Sequence, residues 1–385
     1  MMRMKYRLGD ICTFYSGTGF PTKYQGKREG EFPFYKVGDI ATNVQLGNRY
    51  LYLCNNYISS SEVGELKGIL LPENTVVFAK IGEAVKLNRR AITSRECLVD
   101  NNVMGLCPFI DKVLVEYFFY LLKNIKMELL AEATTVPSVR KSKLEELQVD
   151  IPSVGTQREI VNKVNCISSL IDNRIRQISE LDNLIKSRFV EMFVGKDYPL
   201  VALDDLALGK GEYGAQSASI EYDPSRPRYV RITDIKDDGT LNDDVVSSAN
   251  IEDDEQYKLS YGDFMFARMG ATVGKTYAYK SGNQIFAGYL IRYRLNLEKI
   301  MPEYLYAYTG LEEYKNWVLL NQSGAAQPGI NAKKYGSLLI PIAPLEEQRV
   351  FVDFVTQVTK LKFEVQKSLD ETQTLMDSLM QQYFG

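Results

Sequence analysis

Apolar side chains recur at intervals of three and four positions in two long segments, residues 157–193 and 348–384, with a break at Arg174–Ile175 in the first. This spacing places them on one face of an α-helix. Each segment has 37 residues, which as a helix is about 55 Å long at ~1.5 Å per residue. A small domain cannot cover so long a stripe, so we predict that the two helices pair with each other in antiparallel orientation. The apolar positions are Ile160, Val164, Ile167, Ile171, Ile178, Leu181, Ile185, Phe189 and Met192 in the first segment, and Phe351, Val355, Val358, Leu361, Val365, Leu369, Met376, Leu379 and Tyr383 in the second.

The residues that precede each long helix mix strand and helix patterns. Segments 75–81 and 263–269 have the pattern of strands, and segments 113–131 and 303–320 that of helices. We therefore predict an α+β fold in which two similar globular domains are separated by two long antiparallel helices, a coiled-coil pair, in a pseudo-twofold internal repeat. The predicted divisions are 1–153 and 196–343 for the two domains, and 154–195 and 344–385 for the two helices.

The two halves of the chain repeat one another. Gln157-Arg158 recurs as Gln348-Arg349, 191 positions later. The same shift relates Pro137 to Pro328, Leu147 to Leu338, Ile151 to Ile342 and Phe193 to Phe384; a shift of 192 relates Tyr6, Leu8 and Gly17 to Tyr198, Leu200 and Gly209; and a shift of 195 relates Asp39-Ile40 to Asp234-Ile235. Loops of unequal length would change the shift in this way, so we predict one fold for both domains.

The stretch RMGATVGKT, residues 268–276, is similar to a phosphate-binding loop. Gly270 and Gly274 enclose three residues, whereas a P-loop has four before its Gly-Lys pair. The following segment, 277–282, is rich in strand and turn formers rather than helix formers. The repeat copy, 76–85, keeps Gly82 but has no Gly-Lys-Thr. We predict that this stretch is a strand end and a turn; a nucleotide-binding enzyme using Gly270–Thr276 is the alternative.

Composition narrows the classes of function. The chain has no histidine, which excludes His-based triads, His proton shuttles and most catalytic zinc sites. Its five cysteines form no C-x-x-C pair and are typical of reduced, packed thiols in a cytosolic protein. The first ten residues, MMRMKYRLGD, contain no apolar signal-peptide core. The apolar run 113–122 is too short to cross a membrane. We expect a cytoplasmic protein without cofactor, metal or membrane association.

Net charge is −3, so any nucleic-acid interface must come from the local distribution of charge. Segments 84–95 and 264–297 contain several Lys and Arg residues and no acid, and a third basic cluster lies at 226–231. Lys and Arg contact phosphates and base edges in DNA-binding proteins. A solvated strand face is the alternative for any single residue. The candidate DNA-binding residues are Thr22, Lys23, Lys36, Lys80, Lys86, Arg89, Arg90, Arg226, Arg228, Arg231, Arg268, Lys275 and Arg292.

Two other segments have alternative interpretations. Segment 236–257 carries eight acids against one lysine and is expected to face away from phosphates. A metal site is possible there in principle, but no ligand spacing recurs, which favours a solvated loop. Loop 17–24 could place backbone and hydroxyl groups against DNA, or could simply form a tight turn.

Four segments carry a resemblance to a known family. They are Tyr6–Ile11 with Gly17, Tyr198–Leu200 with Gly209, Tyr229–Ile235, and Ile340–Gln348. The last segment runs through Glu-Glu-Gln into the second long helix, whereas its first copy, 151–157, lacks the Glu pair. In these segments and in its layout, the whole chain resembles the specificity subunit of type I restriction-modification enzymes.

The resemblance implies a DNA-reading subunit that is not itself an enzyme. Each domain would be a target-recognition domain that reads one half of a split, asymmetric target in double-stranded DNA. The helices would set the gap between the half-targets and dock type I methyltransferase (modification) subunits. A restriction and translocation subunit would join the full complex, and all catalysis would belong to these partners. A coiled-coil scaffold without specific DNA binding is the alternative, and it leaves the two similar domains unexplained.

Overall fold

The computed structural model of the chain describes residues 3–132, 137–324 and 328–385. The chain forms two compact units, one of Met1–Asn173 with Leu369–Gly385 and one of Arg174–Ser368. We call them unit 1 and unit 2. The divisions between the units fall inside the two long helices, so that each unit contains a globular part and a portion of both helices.

Unit 1 is built around a five-stranded sheet. The unit has ten strands among its described residues, of which five form this sheet. They are β1 (Arg3–Arg7), β2 (Cys12–Ser16), β3 (Phe32–Tyr35), β4 (Tyr50–Leu51), β5 (Tyr57–Ile58), β6 (Val76–Ala79), β7 (Ala91–Thr93), β8 (Leu98–Val99), β9 (Val103–Pro108) and β10 (Gln148–Pro152). The helices of unit 1 are α1 (Val37–Gln45), α2 (Ser60–Leu66), α3 (Val115–Asn124), α4 (Met127–Leu130), α5 (Lys141–Glu145), the first part of α6 (Val154–Phe193) and the last part of α10 (Leu345–Phe384).

The main sheet of unit 1 has the strand order β2-β9-β6-β7-β4, with β6 in its centre. Every residue of β6, Val-Val-Phe-Ala, is buried, which suits a strand of β-branched and aromatic residues covered on both faces. Helix α3 packs against this sheet, and its residues 117–122 are all buried. The apolar run 113–122 therefore belongs to the core of unit 1. Among the described residues, no helix has the length and hydropathy needed to cross a membrane.

Unit 2 contains a four-stranded sheet of order β12-β19-β16-β17. The strands of the whole unit are β11 (Leu200–Ala202), β12 (Glu212–Tyr213), β13 (Ser219–Glu221), β14 (Arg228–Val230), β15 (Ser247–Ala249), β16 (Asp263–Ala267), β17 (Thr276–Ala278), β18 (Gln284–Phe286), β19 (Leu290–Arg294) and β20 (Leu339–Pro341). Its helices are α7 (Pro302–Thr309), α8 (Glu312–Asn321) and α9 (Ala332–Gly336), with the second part of α6 and the first part of α10 (Leu345–Phe384).

The two long helices begin three residues before the predicted positions, and each has 40 residues. In unit 2, the Phe189 ring lies 5.3 Å from the Phe351 ring. Farther from the start of α10, Lys362 Nζ lies 2.8 Å from a carboxylate oxygen of Asp182. The contacts thus move to lower residue numbers in α6 as they move to higher residue numbers in α10, which confirms the predicted antiparallel pairing. In unit 1, Lys163 of α6 lies 6.0 Å from the ring of Tyr383, and Phe384 joins the core beneath α3.

The repeated glutamines, Gln157 and Gln348, attach each long helix to its globular part. Both are fully buried, and each side-chain amide makes three hydrogen bonds to backbone groups. The Gln157 amide accepts from Leu114 N (2.8 Å) and donates to Lys112 O (2.8 Å) and Pro152 O (2.9 Å); the Gln348 amide accepts from Met301 N (2.9 Å) and donates to Lys299 O (3.1 Å) and Ala343 O (2.8 Å). The identical pattern explains why this residue recurs at the predicted shift of 191.

The predicted register at the opening of each copy is wrong. Leu8 N donates to Leu147 O, and the matching bond in unit 2 joins Leu203 N to Leu338 O. The counterpart of Leu8 is therefore Leu203, at a shift of 195, rather than Leu200. Strand pairing likewise places Tyr6 opposite Val149 and Val201 opposite Ile340, so that Val201 replaces Tyr198 as the counterpart of Tyr6.

Gly17 corresponds to Gly214 rather than to the predicted Gly209. Gly17 N donates to Val103 O, and Gly214 N donates to Leu290 O. A Cβ atom would lie 1.7 Å from the backbone oxygen of Asp100 at Gly17, and 2.3 Å from that of Ala287 at Gly214. Close approach of the backbone requires glycine at both positions, whereas nothing lies within 4 Å of a Cβ atom built at Gly209.

The shorter predicted elements also differ in extent. Segments 75–81 and 263–269 form strands, β6 and β16, that end at Ala79 and Ala267. The segment predicted as one helix at 113–131 is divided into α3 and α4, and the segment at 303–320 into α7 and α8. In both copies the chain turns between two short helices rather than continuing as one.

Candidate nucleic-acid interface

Lys80 and Arg268 occupy equivalent places in the two units, as the repeat predicts. Each follows the central buried strand of its sheet. Lys80 N donates to Asn102 O (2.8 Å) and Lys80 O accepts from Val139 N (2.9 Å). In unit 2, Arg268 N donates to Tyr289 O (3.0 Å) and Arg268 O accepts from Ile330 N (2.9 Å). The next turn is also shared, because Gly82 and Gly270 both have positive φ, 80° and 73°, a conformation that favours glycine.

Two further pairs of candidate cations are equivalent. Lys36 N donates to the buried carboxylate of Asp39 (2.7 Å), and Arg231 N donates to that of Asp234 (3.0 Å). In each unit the aspartate of the repeated Asp-Ile pair therefore holds a backbone turn that begins at a cation, Lys36 or Arg231. Arg89 and Lys275 are a third equivalent pair and come just before β7 and β17. Strand pairing shows the equivalence: Val77 is opposite Ala91 in unit 1 and Met265 is opposite Tyr277 in unit 2, and each cation lies two positions before the second residue of its pair.

Several candidate cations are paired with carboxylates. The ion pairs are Lys23–Glu65 (3.8 Å), Lys86–Glu83 (2.8 Å), Arg226–Asp223 (3.6 Å), Arg228–Asp243 (2.6 Å), Arg231–Asp234 (2.9 Å) and Lys275–Asp237 (2.6 Å). Asp237 and Asp243 belong to the acidic segment 236–257, and in the structure they lie beside two of the candidate cations. Among the described residues, no three acidic or cysteine side chains form a group that could hold a metal ion.

Arg90 and Arg292 lie in the interior. The Arg292 side chain is 2% exposed and is bound to the Glu212 carboxylate, with Asp263 at 3.6 Å. Burial raises the pKa of Asp263. The Arg90 guanidinium lies 4.6 Å from the centre of the Phe78 ring, and burial lowers its pKa to about 9. A phosphate or base edge cannot reach such positions without unfolding the surface above them, so we leave both arginines out of the interface.

The remaining candidates, Lys36, Lys80, Arg89 and Arg268, have no carboxylate within 4.0 Å in the described parts of the chain. The ammonium of Lys36 lies 3.2 Å from Gln25 Oε1. The guanidinium of Arg268 lies 4.7 Å from the centre of the Tyr213 ring. These four cations are the ones whose charge an external anion could neutralise at least cost, because no internal carboxylate must be displaced.

Thr22 and Lys23 are exposed in a short 3-10 turn, Thr22–Tyr24, whose Tyr24 is buried. Lys23 Nζ also lies 4.4 Å from the centre of the Tyr24 ring. The turn thus has a packing role of its own, which agrees with the tight-turn interpretation, and it leaves the hydroxyl of Thr22 at the surface.

The stretch that is similar to a P-loop has a different structure. Gly270–Thr272 forms one 3-10 turn, and the strand β17 begins at Thr276, whereas a P-loop opens a helix whose N–H groups bind phosphate. The hydroxyl of Thr276 is bonded to that of Thr309 (3.0 Å). The stretch lines a cavity of about 950 Å³ together with residues of α7 and α8. Strand geometry and the Lys275–Asp237 pair argue against the nucleotide-binding alternative.

Sequence reasoning did not identify the aromatic side chains beside Arg268. Tyr213 lies 55 positions before Arg268 in the sequence, and only the pairing of β12 with β19 and of β19 with β16 brings the two together. Tyr289 adjoins Arg268 through its backbone, because its carbonyl accepts the hydrogen bond from Arg268 N, and the residue is 57% exposed. No short sequence motif identifies either residue, because their position next to Arg268 depends on strand order.

These features define a protein of two repeated α+β units, each built onto paired long helices and each with an equivalent cation that has no carboxylate partner in the described parts of the chain. The sequence pattern of the family described as Type I restriction modification DNA specificity domain matches residues 3–183 and 197–372. The chain belongs to this family and contains two copies of its domain.

Individual relatives agree with this membership. The chain is 21% identical over 279 residues to the type I restriction enzyme StySPI specificity subunit of Salmonella potsdam, a match that covers 66% of this chain and 60% of the relative. It is 23% identical over 194 residues to the type I restriction enzyme MjaIX specificity subunit of Methanocaldococcus jannaschii, covering 49% of this chain and 43% of the relative. The chain thus matches about half of the length of these relatives.

Solved structures share the fold. A type I restriction-modification S subunit from M. genitalium superposes with a TM-score of 0.57 at 13% identity, covering 100% of this chain and 96% of that one. A chain from a study of complex assembly and conformational transition of the type I R-M system superposes with a TM-score of 0.61 at 18% identity, covering 99% and 97%. The α+β fold with two similar domains and two long helices is therefore that of S subunits.

Proposed function

We propose that this protein is the DNA sequence-specificity subunit of a type I restriction-modification complex. Each globular part reads one half of a split target in double-stranded DNA. The protein itself is not catalytic, and methylation and cleavage belong to methyltransferase subunits and to a restriction and translocation subunit that assemble with it in the cytoplasm. Family membership supports this proposal, as does the named function of the relatives. The proposed division into domains, 1–153 and 196–343, and spacer helices, 154–195 and 344–385, follows from the same proposal.

The observation that carries the proposal is the equivalence of Lys80 and Arg268. If two copies of one domain dock on DNA in the same way, a cation at the same place in each copy can contact the phosphates of both half-targets. Lys80 and Arg268 have identical backbone hydrogen bonds and no carboxylate partner among the described residues. A coiled-coil scaffold gives no reason for such a pair. The proposed interface comprises the hydroxyl of Thr22, the four cations without a carboxylate partner among the described residues, and the six cations in ion pairs. These residues are Thr22, Lys23, Lys36, Lys80, Lys86, Arg89, Arg226, Arg228, Arg231, Arg268 and Lys275.

The direct test is to map DNA methylation in cells that express this protein with its modification subunits, and in cells that lack it. The proposal predicts methylation at one split motif that disappears with the gene. A motif that persists without the gene, or duplex binding with no salt dependence, would favour the scaffold alternative, since neutralising phosphates makes affinity fall steeply with salt.

Charge reversal at the equivalent pair is expected to weaken DNA binding. Replacing Lys80 or Arg268 by glutamate puts an anion where we propose that DNA lies, and we expect a loss of roughly 10- to 100-fold in affinity, the size typical of one lost contact. Affinity should be measured by fluorescence anisotropy with the assembled methyltransferase complex and a duplex carrying the mapped motif, between about 50 and 200 mM salt.

Lys112 and Lys299 provide the matched control. They are another equivalent pair, because Lys112 Nζ donates to Asp10 O and Lys299 Nζ to Asp205 O, both at 2.9 Å. They follow the far ends of β9 and β19, the strands whose near ends adjoin Lys80 and Arg268. The same reversal, Lys112→Glu or Lys299→Glu, changes net charge equally. Equal losses at both pairs would mean that affinity responds to net charge alone and would remove Lys80 and Arg268 from the interface.

A further inference from the structure

Arg268 is held in place on both sides. Its backbone N–H donates a hydrogen bond to Tyr289 O, and its carbonyl accepts one from Ile330 N. Its guanidinium lies 4.7 Å from the centre of the Tyr213 ring. Tyr213 is itself fixed, because it pairs with Ile291 in the sheet and its hydroxyl accepts a hydrogen bond from Ala332 N (3.2 Å). A cation above a fixed ring keeps its plane and direction. The side chain is therefore ordered before any ligand arrives.

The donors of Arg268 are not used by acids. The described contact of its terminal nitrogen is with the sulfur of Met269, at 3.7 Å, which is a weak acceptor. Arg226, Arg228 and Arg231 differ, because each has an aspartate partner. Arg268 thus combines a restrained planar group with unused hydrogen-bond donors, and no other candidate arginine among the described residues of unit 2 has both.

Unit 1 lacks this arrangement at the equivalent place. Strand pairing puts Ser16 opposite Met104 and Tyr213 opposite Ile291, so Ser16 is the counterpart of Tyr213. Lys80 therefore has no ring beneath it from that strand. A lysine is a flexible point charge, whereas arginine presents a planar fork of donors. The two units have the same backbone here but differ in the chemistry that they present.

We infer that Arg268 reads a guanine in the half-target contacted by residues 196–343, with Tyr213 as its positioning residue, while Lys80 supplies charge to phosphate at the equivalent place. The inference rests on the proposed function. Two parallel hydrogen bonds from one guanidinium to O6 and N7 of guanine require a fixed plane, and this is the commonest specific contact in the major groove. A phosphate contact requires only a positive charge and no fixed plane, so it gives no reason for the ring beneath Arg268.

The test uses Arg268→Lys, which keeps the charge and removes the planar fork. The complex of this chain with its modification subunits methylates a duplex library in which each base pair of the mapped motif is randomised in turn. The wild-type complex should require G·C at one position of one half-target. Arg268→Lys should reduce that preference on the order of 10- to 100-fold and leave every other position unchanged. Tyr213→Leu should reduce it at the same position to a smaller extent.

Lys80→Arg is the matched control in unit 1, and it should leave the half-target that depends on Arg268 unchanged. The inference is overturned if Arg268→Lys lowers methylation equally for duplexes with each of the four base pairs at that position, which is the behaviour of a phosphate contact. It is also overturned if no position of the motif loses its base preference. Tyr213→Leu, which retains Arg268, decides the matter if Arg268→Lys fails to assemble. Absence of any split motif for the wild-type complex would instead contradict the proposed function, so the two failures are distinguishable.

Discussion

Replacing Gln348 by leucine is expected to lower the free energy of unfolding of unit 2 by about 2–5 kcal/mol. Leucine has a similar size but cannot form hydrogen bonds. The substitution removes the partner of the Met301 N–H and of the carbonyls of Lys299 and Ala343. Each buried polar group left without a partner costs roughly 1–3 kcal/mol. The loss falls where α10 joins the globular part, so both the helix start and the adjoining loop lose their attachment.

Trp317 makes this measurement specific to unit 2. It is the one tryptophan of the sequence and lies in α8, so its fluorescence during urea denaturation reports on this unit. The control is Arg349→Ala at the next position, where an exposed ion pair with Glu346 (3.5 Å) is lost, and we expect a change of less than about 0.5 kcal/mol. An unchanged midpoint of the Trp317 transition in Gln348→Leu would show that these hydrogen bonds do not hold α10 in place.

The helices and the repeat were predictable because their signals are local or recur. Intervals of three and four residues recur between Ile160 and Met192, with one break at Arg174–Ile175, and can be recognised from neighbouring positions alone. The Gln-Arg pair recurs because each glutamine satisfies the same three backbone groups. The opening register failed where single matches, such as Leu8 with Leu200, had no structural requirement behind them. The glycine that is required by close approach, Gly214, was passed over for a glycine in open space.

Long-range contacts explain the errors in the candidate site. Segment 264–297 contains no acid, which made Arg292 a candidate DNA-binding residue, but its partner Glu212 lies 80 positions earlier and reaches it through the pairing of β12 with β19. Local composition cannot reveal an ion pair that strand order creates. The same strand pairing brings Tyr213 beneath Arg268. The sequence therefore identifies candidate cations but not which of them already have partners within the fold.

Lengthening both long helices by four residues is expected to lengthen the gap of the target without changing its half-targets. Both helices continue across the division between the units, at 173/174 in α6 and at 368/369 in α10. Four residues add ~6 Å and about 400° of helix, so that the apolar stripe turns by only about 40° and antiparallel pairing is retained. At ~3.4 Å per base pair, the added length corresponds to one or two base pairs.

The insertions belong after Ile175 and after Ser368, away from the contacts of Asp182 with Lys362 and of Lys163 with Tyr383. Methylation mapping should show the original half-targets separated by a longer gap. Matched insertions of two residues are the control, because about 200° of rotation turns the apolar stripe toward solvent and should prevent folding. Since the helix pair alone changes in the four-residue variant, the original gap with altered half-targets would mean that the helices do not set the spacing. Loss of all methylation by a folded, assembled variant would mean that the two units must hold one fixed distance, and the spacing could not then be adjusted through the helices.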